Sequence, residues 1–381
     1  MEVLKIQEHL GRIKKMHDII LNFLEEEEEN EDNFEKIIKF PENRHDMQLL
    51  LCILYRISNN HYRTHILYSR IEKIILSIKD KIKQTFSNYE IFENFKNNKK
   101  ILLFLFKESI ISIDKSIISV MTSIKFKEAN YPQFFSTEIN SISQEKIELN
   151  LTPEEFERKR EIGQNDSIIC ELIRNDSVEE FITYITKNAI SPSGQIQHSI
   201  FETNQFLIKN KNPTFIEYAA FFGSIQIFKF LRFQKAVLTP SLWLYSIHSN
   251  NAELIHILEE EHAQPADKTY QKCLKESIKC HHNEIAKYIQ ENLSDKNVEK
   301  NNLKSNFNEN TLADNLHYHN YVFLEPQLLH RFLFYYACKY SYFTLVEFYL
   351  KLDGIDVNEK IIFSEKNSNK VLKFISIKFQ Y

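Results

Sequence analysis

The sequence predicts an all-α protein in which helical hairpins stack into a solenoid, preceded by a helical N-terminal region. Three observations support this fold class. Apolar residues recur at helical spacing along most of the chain. Five glycines in 381 residues are few, and a mostly helical chain tolerates this because it contains few tight turns. Residues 212–258 contain two similar helix-turn-helix units in succession, and units of this size bury their apolar faces only by stacking.

Composition excludes several functional classes. The hydrophobic fraction of 43% and the net charge of -4 are ordinary for a soluble folded protein, so nucleic acid is not an expected partner. The five glycines cannot form G-x-G-x-x-G or a P-loop, so no nucleotide cofactor is expected. The apolar run Ile101–Phe106 is far shorter than the roughly 20 residues of a membrane span.

The cysteines indicate a reducing compartment. They are five in number and scattered, and no apolar leader follows Met1. We therefore expect free thiols and a cytoplasmic protein, with the nucleus as the alternative.

Residues 1–44 are predicted to form an amphipathic helix and an acidic linker. Ile6, Leu10, Ile13, Ile20 and Leu24 share one helical face. The run from Glu25 to Asp32 contains six glutamates and one aspartate, and like charges of this density are typical of a solvated linker. Docking of this run onto a basic partner is the alternative.

Residues 45–150 form the predicted helical N-terminal region. Within it, 87–95 and 100–106 read as two helices joined by Asn97-Asn98. A boundary is predicted near 150, where Thr152 can cap a helix that begins at Pro153 and Glu155 can complete a capping box. Residues 151–360 are the predicted repeat array, with a polar insert at 294–310, and 361–381 form a C-terminal tail.

The repeat is defined by four aligned segments. Ala219–Leu231 aligns with Ser246–Leu258 at an offset of 27, followed by Ser277–Ile289 after 31 more and Ala337–Tyr349 after a further 60. Each segment begins with a small residue, which predicts that the first helices of adjacent units approach closely at that point.

These segments resemble ankyrin repeats. The run Tyr218–Ser224 is similar to the middle of an ankyrin unit, and Gly354–Asn358 is similar to its finger. A closer resemblance is to a domain-of-unknown-function family of degenerate ankyrin proteins expanded in trichomonad protists. The segments IEYAAFFGSIQIF, LTPSLWLY, NNAELIHILEE and ESIKCHHNEIA carry it, over about 45–360. The resemblance implies a non-catalytic scaffold that binds a protein of unknown identity through its concave face.

The same resemblance supplies candidate binding residues, because the pair before each inter-helix turn lines the concave face of ankyrin arrays. The partner-binding candidates are Phe221, Phe222, His248, Lys279 and Tyr340. Aromatic residues contribute disproportionately to interfaces, so Phe221 and Tyr340 are the expected hot spots. The alternative is that these rings fill space between repeats.

Two other functions remain open. Cys273, Cys280, His281 and His282 contain zinc-ligand types, which would suit a metal-binding protein or a metal-dependent enzyme. A seven-residue step separates the cysteines too far to share one ion easily, so turn and core roles are predicted instead. Nucleic-acid binding would require the lysines of 70–127 to form one stripe. No catalytic residue, metal ligand or cofactor is predicted.

Overall fold

The computed structural model describes residues 2–64, 66–143, 146–294, 311, 313–323, 336, 337, 339, 340, 342 and 346. Within these residues the regular secondary structure is helical and no β-strand occurs, which confirms the all-α class. Gln195 and Thr214 form one isolated antiparallel bridge. The described residues do not include 295–310 of the insert, the finger at 354–358, the tail at 361–381 or most of the repeat segment Ala337–Tyr349.

The chain divides into two compact units. One comprises 1–53 with 295–381, and the other comprises 54–294. The division near residue 150 stays a prediction. Among the described helices none is long and apolar enough to cross a bilayer.

The first unit begins with helices α1 (Glu2–Glu25), α2 (Glu31–Lys39) and α3 (Arg44–Asn60), and the last of these continues into the second unit. Helix α1 confirms the amphipathic prediction, since Leu10, Ile13 and Leu24 are buried. Helix α2 lies within the segment predicted to be a linker. The Asn30 side chain accepts a hydrogen bond from the Asn33 amide, and acidic residues in the first turn favour the helix dipole.

The C-terminal residues of this unit contact its N-terminal helix through tyrosines. The Tyr321 hydroxyl donates to that of Tyr342 at 2.9 Å, and the Tyr342 hydroxyl donates to the Leu316 carbonyl at 2.8 Å. The Tyr321 ring packs edge-on against His17 with centroids 5.5 Å apart. These contacts join sequence-distant segments into one core.

The second unit begins with the C-terminal part of α3 and eight further helices. They are α4 (Leu67–Ser77), α5 (Lys79–Thr85), α6 (Asn88–Phe95), α7 (Lys99–Lys107), α8 (Lys115–Met121), α9 (Ile124–Glu128), α10 (Tyr131–Phe134) and α11 (Ser136–Ile142). Helices α6 and α7 confirm the predicted hairpin. Ser87 and Glu90 form a capping box at the start of α6, and Asn98 caps α7.

Four helices follow: α12 (Pro153–Ile162), α13 (Ile168–Arg174), α14 (Val178–Lys187) and α15 (Gln205–Lys209). The Thr152 hydroxyl accepts from the Glu155 amide at 3.2 Å, as predicted. The Glu155 carboxylate pairs with Lys159 at 2.9 Å instead of completing a capping box. A lysine one turn later competes for this carboxylate.

The remaining helices are α16 (Phe215–Phe222), α17 (Ile225–Phe233), α18 (Leu242–His248), α19 (Ala252–Glu260), α20 (Gln271–Cys280) and α21 (Asn283–Tyr288), followed by a π-helical turn at Ile289–Leu293. Together with α13 and α14 they form hairpins A (α13, α14), B (α16, α17), C (α18, α19) and D (α20, α21), and the two helices of each hairpin pack together.

The first helices of the hairpins pack on one another in chain order, α13 on α16, α16 on α18, and α18 on α20. Ala219, Ser246 and Ser277 are fully buried. The expectation of small residues where first helices approach is consistent with this burial. Close helix approach is possible because these side chains are short.

Polar side chains join successive hairpins. The Ser224 hydroxyl donates to the Ile173 carbonyl, and the Asp176 carboxylate accepts from the Gln226 and Ile227 amides at 2.9 Å each. Asp176 thus caps a helix of the next hairpin. These bonds set the spacing between hairpins A and B.

Candidate functional site

Three of the predicted binding residues meet at the C-terminal ends of α16, α18 and α20. The Phe221 and His248 rings stack with centroids 5.1 Å apart. His248 Nε2 lies 2.8 Å from Glu276 Oε1, and Lys279 Nζ lies 2.5 Å from the same oxygen. Each side chain comes from the last turn of its helix, so the ordered packing of the first helices aligns them.

Helix α15 covers one side of the side chains of Phe221, His248 and Lys279. The Phe206 ring of α15 lies 4.2 Å from the His248 ring and 5.8 Å from the Phe221 ring, and Lys279 Nζ lies 5.8 Å from its centroid. Phe221 is 6% exposed and His248 is 3% exposed. These contacts are those of rings packed between helices, the alternative that the sequence left open.

Phe222 and Lys279 are half-buried. A depression of about 250 Å³, measured up to the open solvent, lies beside Phe222. Its lining residues are His61, Tyr62, Arg63, Asn204, Phe221, Phe222 and His248. The Arg174 guanidinium lies 6.0 Å from the Phe222 ring. The accessible surface therefore combines aromatic faces with basic groups.

Tyr340, the fifth predicted residue, belongs to the first unit. Its ring is half-buried and stacks on His317 with centroids 4.8 Å apart and on Tyr336 with centroids 5.9 Å apart. Lys339 Nζ lies 5.4 Å from the same ring. The described residues place it in an aromatic cluster of that unit.

The four Cys and His residues of hairpin D have separate roles. His281 lies in the left-handed conformation that ends α20, with φ of 60°, and Cys273 is buried in the first turn of that helix. His282 Nδ1 lies 2.7 Å from the Ile247 carbonyl oxygen, and its Nε2 accepts from the Tyr62 amide at 3.2 Å. Both ring nitrogens of His282 are thereby used, and the predicted turn position of the two histidines is confirmed.

Cys280 instead lies beside His248 and Glu276. Its Sγ atom is 3.5 Å from His248 Nδ1 and 3.8 Å from His248 Nε2. One ligand atom from each of the three residues lies within 4.8 Å of the others. Glu276 and Cys280 are four residues apart and therefore share a face of α20, which the sequence already contained as a signal.

Burial and charge pairing set the protonation states of this cluster. Burial raises the pKa of Glu276, but the hydrogen bond from His248 and the Lys279 ammonium outweigh it and lower the pKa to about 2. Burial lowers the pKa of His248 and raises that of Cys280 well above its usual value. At neutral pH the cluster contains a carboxylate, a neutral imidazole and a thiol.

Lys99, at the start of α7, is a buried lysine that the sequence did not predict. Lys99 Nζ donates to the Glu202 carbonyl at 3.1 Å and to the Ile200 carbonyl at 3.3 Å. Burial lowers the pKa of Lys99 to about 7. Two other lysines of the 70–127 segment are paired with carboxylates, Lys96 with Glu93 and Lys107 with Glu161.

No family model matches the chain, and the comparisons with curated proteins and with solved structures find no match either. The ankyrin resemblance therefore stays a prediction.

Proposed function

We propose that this protein is a non-catalytic protein-interaction scaffold in which hairpins A to D form an ankyrin-type solenoid. The partner is a protein that contacts the concave side, at the C-terminal ends of the first helices. The observation that carries the proposal is the ordered packing of α13, α16, α18 and α20, which places the half-buried side chains of Phe222 and Lys279 at the C-terminal ends of α16 and α20. Stacked hairpins of this kind present extended binding surfaces.

The chemistry of the accessible rim favours a protein ligand. Phe222 is half-buried beside the depression, Tyr62 is 36% exposed, and the Arg63 guanidinium donates to the Thr203 hydroxyl at 3.0 Å, which holds the arginine in place. Aromatic and arginine side chains on ordered backbone are typical of interface hot spots. Basic groups beside aromatic faces favour a partner segment that carries both apolar and acidic residues.

Site-specific photocrosslinking tests the proposal. Benzoylphenylalanine at position 222 should crosslink a discrete protein in extracts of the native cell. The same group at Phe233, which is 83% exposed on the second helix of the same hairpin, serves as the matched control and should not. Phe222→Ala should then weaken binding of the identified partner by about 30-fold, the effect of a 2 kcal/mol hot spot.

Three results would contradict the proposal. The first is equal crosslinking from positions 222 and 233. The second is unchanged affinity of the Phe222→Ala variant. The third is absence of a protein adduct from position 222 in extracts that contain the endogenous protein. A cytoplasmic or nuclear location, as proposed from the cysteine usage, is checked by fractionation of the same cells.

A further inference from the structure

The cluster of His248, Glu276 and Cys280 offers three different ligand types at one point. The imidazole comes from the last turn of α18, and the carboxylate and thiol come from adjacent turns of one face of α20. Both helices are fixed by packing of α18 on α20 and by the His282 bond to the Ile247 carbonyl. The cluster is therefore held on rigid elements, as a metal centre requires.

The spacing of the ligand atoms is close to that of a tetrahedral zinc centre. Zinc binds sulfur at about 2.3 Å and nitrogen or oxygen at about 2.0 Å, which places ligand atoms about 3.3 to 3.6 Å apart. Cys280 Sγ lies 3.8 Å from His248 Nε2, and that nitrogen lies 2.8 Å from Glu276 Oε1. The first of these distances exceeds the tetrahedral value by about 0.3 Å and the second falls short of it by about 0.5 Å, and all three ligand atoms lie within 4.8 Å of one another.

The positively charged Lys279 side chain already lies beside Glu276. The Lys279 ammonium is 2.5 Å from Glu276 Oε1, and its side chain is 20% exposed, so it reaches the carboxylate from the protein surface. A lysine side chain is long and flexible and can turn to solvent when another cation takes its place. The ammonium thus marks where the carboxylate accepts a cation.

We propose that His248 Nε2, Glu276 and Cys280 Sγ bind one divalent metal ion of the zinc class, with a fourth position left for water. Three protein ligands with one open position are an established arrangement for zinc. The metal site does not depend on the scaffold function, although His248 and Lys279 are also candidate partner-binding residues, and Cys273, His281 and His282 take no part in it.

Metal binding changes the protonation of the cluster in a defined way. In the metal-free state His248 Nε2 donates its proton to Glu276, and the Cys280 thiol lies against Nδ1. When the ion binds, Nε2 and Sγ each lose a proton and Nδ1 takes up one. One proton is released to solvent for each ion bound. The affinity should therefore increase with pH.

Cobalt titration of the full-length, metal-stripped protein tests the site. Co²⁺ should bind at one equivalent with a sulfur-to-cobalt charge-transfer band, and Zn²⁺ should abolish the band by displacement. Cys280→Ser should eliminate the band, and His248→Ala should weaken binding by at least about tenfold. Lys279→Gln should tighten binding by about tenfold, because it removes a neighbouring positive charge.

Cys273→Ser is the matched control, since Cys273 is a buried cysteine of the same helix that lies outside the cluster. Its band should equal that of the parent. Far-ultraviolet circular dichroism and urea midpoints establish that each variant is folded. A folded parent without the band, a band that survives Cys280→Ser, or a band lost in a folded Cys273→Ser variant would overturn the proposal and leave the cluster as a buried hydrogen-bond network.

Discussion

The Nδ1 atom of His282 lies 2.7 Å from the carbonyl oxygen of Ile247, so hairpin D is bonded directly to the first helix of hairpin C. A carbonyl can only accept, and Nδ1 therefore carries the ring proton. The opposite nitrogen is then an acceptor, which the Tyr62 amide uses at 3.2 Å. One neutral imidazole joins three segments of the chain.

Replacement of this imidazole should destabilise the protein. His282→Ala removes the acceptor of the Tyr62 amide and a donor to the Ile247 carbonyl, so we expect a loss of about 1 to 3 kcal/mol in the free energy of unfolding. Urea denaturation measures it. His256→Ala is the control, because this histidine side chain is 65% exposed, and should change stability by less than about 0.5 kcal/mol. Equal losses in the two variants would disprove the bridging role.

Acidification should weaken the fold in a window set by histidine. Burial lowers the pKa of His282 well below 6.5 and also lowers that of His248, so both are neutral in the folded state. Unfolded histidine binds more protons below about 6.5. The stability that the two neutral histidines contribute is therefore complete above pH 6.5, and it is lost as the pH falls from 6.5 toward their folded pKa values.

Glu276 titrates in a separate window, because its folded pKa of about 2 lies below the unfolded value of 4.5. Its contribution to the free energy of unfolding is lost only as the pH falls from 4.5 toward 2.

Urea midpoints test the histidine prediction. When measured at intervals from pH 8 to pH 5, they should decline below pH 6.5. His282→Gln should flatten this decline, and a parent with constant stability across that range would contradict the assignment.

Loss of the Asp176 cap should loosen the contact between hairpins A and B. Asp176→Ala removes the acceptor of two amides of α17 and places alanine at φ of 50°, so we expect a loss of about 1 to 2 kcal/mol. Asp176→Asn keeps one of the two acceptor oxygens and tolerates this backbone conformation, so it should recover part of the stability. Thermal denaturation ranks the three proteins. An asparagine variant as unstable as the alanine variant would argue against capping.

Two glycine substitutions should have opposite signs. A Cβ atom at Gly194 would lie 2.6 Å from two ring atoms of Phe215, so Gly194→Ala should destabilise by about 1 to 3 kcal/mol. A Cβ atom at Gly11, within α1, meets nothing within 4 Å, and Gly11→Ala should stabilise by about 0.5 to 1 kcal/mol. Calorimetry decides, and a stabilised Gly194→Ala variant would show that the described contact with Phe215 is wrong.

Helices were predictable from the sequence where periodicity and caps coincide. The hairpin of α6 and α7 follows from apolar spacing with Ser87 and Asn98 as caps, and the same holds for Thr152 at α12. Helix α2 was missed because its acidic first turn continues a run of like charge. Asn30 was the signal that separates the two, since asparagine is a preferred cap.

The surroundings of the candidate site depend on contacts that periodicity does not contain. Phe206 covers Phe221 and His248 from α15, a helix of only five residues. Glu276 joins His248 because α18 packs on α20, and the pairing of these helices is a tertiary property. The sequence therefore identified the ends of the first helices but not what covers them.

The hydrogen bond of 2.8 Å from His61 Nδ1 to the Cys280 carbonyl spans 219 residues. A ribosome that adds about 5 to 20 residues per second needs about 10 to 45 s to make the intervening chain. During that interval the end of α3 and the following loop wait without the hairpin on which they pack. Early synthesis of hairpins A to C cannot complete this core, and hairpin D, the last of the four to emerge, is the one that closes it.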